Sequence, residues 1–172
     1  MGTKKSNQAF IDGNNLYLAT TKCTIPWKID SRRFRVYLEQ KYRVDKAYYF
    51  LGCYDQKYAD LYTRLQEHDF ILMFREHGKN LATKKKGNVD VDIVFSIMQK
   101  VYEDETLRKV VLVSGDGDYR RMVDYLIEND RLQKVLLPCR EHASSLYKKL
   151  GSRYYDYLDS PALRMKIGYY NK

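Results

Sequence analysis

Cysteine, proline and long apolar runs are all scarce in this 172-residue chain. Its three cysteines, Cys23, Cys53 and Cys139, stand far apart, with no CxxC pair and no zinc-ligand spacing. That excludes the cysteine-dense framework of small secreted domains and leads us to expect a reduced, cytoplasmic compartment. No stretch reaches the roughly 18 apolar residues of a membrane span. The opening MGTKKSNQAFID arrives at an acid without the apolar core of a signal peptide. Secreted and membrane classes are set aside on these grounds. With only three prolines, no repeat and no Pro/Gly/Ser-rich linker, the chain reads as one compact domain. The histidines His68, His77 and His142 fit no triad, and no Ser or Cys stands in a nucleophile elbow.

Positive charge and tyrosine are abundant. Lys and Arg total 31 against 22 Asp and Glu, a net charge of +9, which points to a polyanionic partner, nucleic acid first. Short β-rich runs occur at Gln8–Asp12, Lys46–Cys53, Phe70–Arg75, Lys109–Ser114 and Gln133–Pro138, with a last one at Arg153–Leu158. They are nearly continuous in apolar residues, as strands buried on both faces of a parallel sheet must be. Helical spacing lies between them: after the N-cap pair Asp30–Ser31, over Tyr58–Leu65, Val91–Met98 and Tyr119–Leu126, and in a short stretch from Ser144 to Leu150. The alternation predicts an α/β fold, a three-layer α/β/α sandwich on a mainly parallel sheet. Ligands of such folds bind beyond the carboxyl ends of the strands, where the strand order switches.

Three acidic clusters fall at that edge. Phe10-Ile11-Asp12-Gly13-Asn14-Asn15 ends the first strand, Ser114-Gly115-Asp116-Gly117-Asp118 ends the fourth, and Asn88-Val89-Asp90-Val91-Asp92 opens a helix. Each has an ordinary structural use as turn, cap or dipole partner. Converging on one edge of a basic protein, they instead suggest a cation site, because clustered carboxylates repel unless a cation holds them. The stripe Val91, Val94, Ile97, Met98 and Val101 centres near Asp90, so Asp90 is expected to face the sheet and Asp92 the solvent. Oxygen-only ligation suits Mg²⁺ or Mn²⁺, ions that activate water and clamp a phosphate oxygen.

At these residues the chain resembles the NYN domain family, a branch of the PIN-like nucleases, and within it the LabA-like bacterial proteins. FIDGNN, KKKGNVDVDI and VSGDGDY carry the resemblance in the family's order, and the alternating pattern extends it to about Leu158. It implies a PIN-like domain over residues 1–160, followed by a basic, Tyr-containing tail over 161–172. It also implies a divalent metal and ribonuclease activity leaving 5′-phosphate and 3′-hydroxyl ends. By motif, Asp12, Asp90, Asp116 and Asp118 become the catalytic and metal-site residues, with Asn14, Ser114 and Asp92 in support. The sequence departs from the family pattern at Ser96, where many relatives carry a further Asp.

RNA, single-stranded or structured, is thus the expected partner. Lys84, Lys85 and Lys86, in a long basic stretch beside Asp90, and Arg120 and Arg121 after Asp118 are the candidate phosphate contacts. Target choice is left to self-association or a protein partner. Two other readings stay open: a non-catalytic RNA-binding or regulatory module, favoured by Ser96, and, more remotely, a phosphohydrolase of the haloacid dehalogenase type. The latter usually carries a second Asp two residues after the first, where this chain has Asn14.

Overall fold

The computed structural model describes residues 5–75 and 89–169. Six strands form one sheet: β1 (Ser6–Asp12), β2 (Val44–Leu51), β3 (Phe70–Phe74), β4 (Leu107–Val113), β5 (Leu132–Leu137) and β6 (Tyr155–Tyr157). Their order is β3-β2-β1-β4-β5-β6, and every pairing is parallel. The α/β architecture and parallel sheet expected from the alternating pattern are both present.

The period-two alternation of strand side chains makes two cores. Phe10, Val110, Leu112 and Val135 pack on one face with Ile93 and Ile97 of α4 (Asp90–Glu103) and with Met122, Val123 and Leu126 of α5 (Arg120–Glu128). Ala9, Ile11, Val111, Val113 and Leu136 pack on the other face. There they meet Leu16 of α1 (Gly13–Thr21), Phe34 and Leu38 of α2 (Ser31–Tyr42), Leu65 of α3 (Ala59–Glu67) and Ile167 of α7 (Pro161–Ile167). A one-turn helix, α6 (Ser145–Lys148), lies before β6. Asp30 caps α2 by accepting from the Arg33 N–H at 3.0 Å, as its position before Ser31 suggested.

Four local readings are corrected. The segment after Asp12 is not a turn but helix α1, whose N-cap is Asp12 itself. The last strand begins at Tyr155, because Ser152–Tyr154 form a 3₁₀ turn. The buried line of α4 runs through Ile93 and Ile97, leaving Val91 73% exposed, since the helix packs on its Ile face. The cysteines are not all unpaired: Cys23 and Cys139, with Cα atoms 6.4 Å apart, form a disulfide, while Cys53 is free. A separation of 116 residues leaves no trace in spacing, and the expectation of a reduced compartment loses its cysteine argument. No helix among the described residues is long and apolar enough to cross a membrane.

Candidate metal centre

The strand order switches between β1 and β4, the two central strands, whose connections leave toward opposite edges of the sheet. Asp12 is the last residue of β1, and Asp116 lies three residues past the end of β4. Asp90 opens α4, which follows β3, so its N-terminus arrives at the same edge.

Hydrogen bonds fix each acid. Asp12 is buried; its Oδ1 accepts from the Asn15 N–H at 2.9 Å as the α1 cap. The Asp116 N–H donates to Ser114 Oγ at 3.1 Å, and the buried Tyr147 phenol donates to the Asp116 carbonyl. The Asp118 N–H in turn donates to Asp116 Oδ1 at 3.0 Å. The Gly115 N–H donates to Asn15 Oδ1 at 2.9 Å, which ties the loop after β4 to α1. Gly117 admits a close approach here: a Cβ on it would sit 2.5 Å from Ser144 Oγ, at the start of α6.

Carboxylate oxygens of Asp90, Asp116 and Asp118 all lie within 4.8 Å of one another. Asp12 joins them through Tyr119, whose fully buried phenol stands 3.0 Å from Asp12 Oδ2 and 2.7 Å from Asp90 Oδ1. Burial pushes the Asp12 carboxyl above the usual carboxylate range, and the Asp90 and Asp116 charges act the same way. The Asn15 N–H and the Tyr119 phenol oppose them. Burial, then the charges and hydrogen bonds of Asp12 and Asp90, hold Tyr119 far above an ordinary phenol, so it stays a donor. One phenolic proton cannot satisfy two carboxylates at once.

The donor set fits a hard divalent cation. Oxygens around one Mg²⁺ at about 2.1 Å stand roughly 3 to 4 Å apart, inside the 4.8 Å that bounds these three. All are carboxylates, as Mg²⁺ and Mn²⁺ prefer. Asp118 is exposed and Asp116 half-buried, so the cluster opens to solvent while Asp12 lies beneath it. The two other groupings of ligand-type side chains among the described residues both contain Cys139, whose sulfur is bonded to Cys23.

The remaining sequence candidates are placed differently. Ser114 is buried under Asp116. Asn14 is exposed on α1, and its neighbour Asn15 makes the contact to β4. Asp92 is exposed and lies outside the acidic trio. Arg120 is engaged by Asp124 at 2.8 Å and by the Leu146 carbonyl, whereas Arg121 is exposed. Lys84, Lys85 and Lys86 lie outside the described residues. Tyr119 was missed as a site residue: its helical spacing marked it as core, and only its place two residues after Asp116-Gly117 hinted at more.

Comparison with known proteins gives three findings. A family model described as NYN domain matches residues 8–158. The protein called low amplitude and bright protein LabA, from Synechococcus elongatus, is 29% identical over 126 residues, covering 68% of this chain and 65% of its own length. A crystal structure of a Vibrio parahaemolyticus protein described as of unknown function superposes with a TM-score of 0.75 at 19% identity, covering 98% of this chain and 99% of that one. This last likeness is one of fold.

Proposed function

The chain belongs to the NYN domain family, a family of nuclease-like domains, and from that membership we propose that it is a metal-dependent ribonuclease. The observation that carries the proposal is the convergence of Asp90, Asp116 and Asp118 at the switch point, with Asp12 joined to them by Tyr119. Asp90, Asp116 and Asp118 would hold Mg²⁺ or Mn²⁺, and the ion would supply water activation and charge stabilisation at a phosphodiester. The protein's own part is to keep the acids in place. Ser114 and Tyr147 hold Asp116 from beneath, and the Asp116 side chain holds the Asp118 backbone. Tyr119 keeps Asp12 and Asp90 together despite their charge. Arg121 is exposed one turn beyond the cluster and meets substrate phosphates together with the lysines at 84–86.

The match covers 65% of LabA's length, so cellular targets and partners are part of the proposal, as are a cytoplasmic location and self-association. The test is incubation of end-labelled single-stranded and hairpin RNAs with Mg²⁺, Mn²⁺ or EDTA, wild type beside Asp116→Asn. Metal-dependent products that vanish with the variant support the enzyme. Intact RNA under every condition, with a salt-sensitive gel shift, turns the assignment to an RNA-binding module. The feature favouring that second reading is Ser96 on α4, at the position where many relatives place an acid.

A further inference from the structure

Polar and charged side chains gather around the cysteine pair in a way that a disulfide does not explain. Cys23 lies two residues past α1, Cys139 two residues past β5 and Asp159 two residues past β6. A carboxylate oxygen of Asp159 and both sulfurs stand within 4.8 Å of one another. The Cys139 sulfur, a carboxylate oxygen of Glu141 and a ring nitrogen of His142 form a second grouping within the same limit. Four side chains of metal-ligating type thus stand around the Cys139 sulfur, none of them from the acidic trio. A disulfide has no charge and no N–H or O–H, so it gives a carboxylate or an imidazole nothing to bind.

Hydrogen bonds hold these groups in place without the sulfur–sulfur bond. Leu137 pairs with Tyr157 in the sheet, and past that pair the Arg140 N–H donates to Asp159 Oδ2 at 2.7 Å. Glu141 Oε2 accepts from the Thr24 N–H at 3.1 Å, and His142 Nε2 donates to the Lys22 carbonyl at 2.9 Å. A carbonyl only accepts, so neutral His142 carries its proton on Nε2 and keeps a lone pair on Nδ1. A bond of this kind orients an imidazole that ligates through its other nitrogen. Cys23 and Cys139 are buried in a cluster with Ala19, against which Trp27 packs. Two thiolates in such surroundings are costly unless a cation joins them.

We propose that the reduced Cys23–Cys139 pair, with Asp159 and His142, is a structural Zn²⁺ site separate from the acidic cluster. Two thiolates, an imidazole and a carboxylate make a tetrahedral set that suits zinc and is too soft for Mg²⁺. Ligand atoms of such a centre stand about 3.3 to 3.8 Å apart, inside the 4.8 Å that bounds each grouping. From bonding distance, the sulfurs need only part by about 2 Å. A thiol reductant supplies the two electrons and two protons that turn the disulfide into two thiols, and itself leaves as a disulfide. Zn²⁺ then displaces both thiol protons. The ion takes over the tie between α1 and the loop after β5. That loop, which packs on Gly115 and Gly117 through Ala143 and Ser144, is thereby anchored in either redox state.

Co²⁺ reports such a site by the absorption of a tetrahedral thiolate complex. The full chain is reduced with a phosphine and titrated with Co²⁺ under excess Mg²⁺, which saturates the acidic cluster, and then with Zn²⁺. Wild type is expected to take one Co²⁺ with a sulfur-to-metal charge-transfer band, which Zn²⁺ removes. Oxidised wild type and Cys139→Ser should show no such band, and Cys53→Ser should keep it. Asp159→Asn retains both thiols and should weaken Co²⁺ at least roughly tenfold, the least that even a supporting partner costs. If Cys139→Ser loses its cooperative melt, Asp159→Asn and His142→Ala decide. No charge-transfer band in reduced wild type, a band that survives in folded Cys139→Ser or vanishes in Cys53→Ser, or an affinity unchanged in both Asp159→Asn and His142→Ala overturns the site.

Discussion

Tyr119 does at the scale of one residue what the acidic cluster needs, placing a hydroxyl between Asp12 and Asp90 where two carboxylates would otherwise face each other. Tyr119→Phe keeps the ring and deletes that donor. The expected cost is about 1–3 kcal/mol of stability, the range for leaving buried groups unsatisfied, read by urea unfolding in EDTA. A second residue acts far from the site. Asp104 ends α4 and accepts from the Thr106 hydroxyl at 2.6 Å, the Thr106 N–H at 2.9 Å and the Gln8 side chain of β1 at 2.9 Å. The Thr106 hydroxyl first, then Gln8, pull its carboxyl down to about 2. An unfolded Asp titrates near about 3.9, so this stabilisation is fully present above that pH and is lost as pH falls toward 2. Partial exposure discounts it to about 1 kcal/mol. Asp104→Asn should flatten the loss of stability between pH 4 and pH 2, followed by urea midpoints at each pH. Asp90 was legible as inward-facing from helical phase; Tyr119 was not, because a Tyr on an apolar stripe carries no mark of what its hydroxyl meets.

Among elements, the strands were the easiest to read, since burial on both faces leaves almost unbroken apolar runs such as Val110–Val113. Helix α1 was hidden by its own function. Asp12-Gly13-Asn14-Asn15 has the composition of a turn, yet Asp12 caps a helix whose Leu16, Ala19 and Thr20 are buried. Gly13 is needed there, because a Cβ would fall 2.7 Å from the Phe50 carbonyl oxygen and 2.4 Å from the Tyr49 ring. Close docking of α1 over β2 thus accounts for a glycine in a helix's first turn. Just past the other end of α1, Cys23 is bonded to Cys139, which follows β5, so the disulfide ties the two halves of the sheet together on either side of the switch point. Closing so long a loop restricts the unfolded chain, and reduction should remove about 2–4 kcal/mol. Denaturant unfolding with and without a thiol reductant checks this, with Cys23→Ser expected to match the reduced wild type and to lose its response to the reductant.

For the whole molecule, strand order decides where function can sit. Placing β1 and β4 side by side brings together acids far apart in sequence, and α4 delivers Asp90 to the same edge. The edge itself was legible from the alternation of strands and helices. The separations were not, because Asp118 faces solvent from a 3₁₀ turn and Asp12 lies buried as the N-cap of α1, geometry that composition does not encode. A net charge of +9 together with a cluster of three carboxylates at one strand edge suits a polyanion brought to a metal-dependent site.

The central claim is that Asp90, Asp116 and Asp118 form a divalent-metal centre, and the most direct measurement is a Mn²⁺ titration of the full chain followed by electron paramagnetic resonance. Wild type, Asp116→Asn and Asp92→Asn are run side by side. Wild type is expected to show a saturable Mn²⁺ site that Mg²⁺ displaces. Asp116→Asn should weaken it by at least roughly tenfold through loss of a charged oxygen ligand, and Asp92→Asn should leave it unchanged. No saturable site in wild type, or equal binding by wild type and Asp116→Asn, would contradict it.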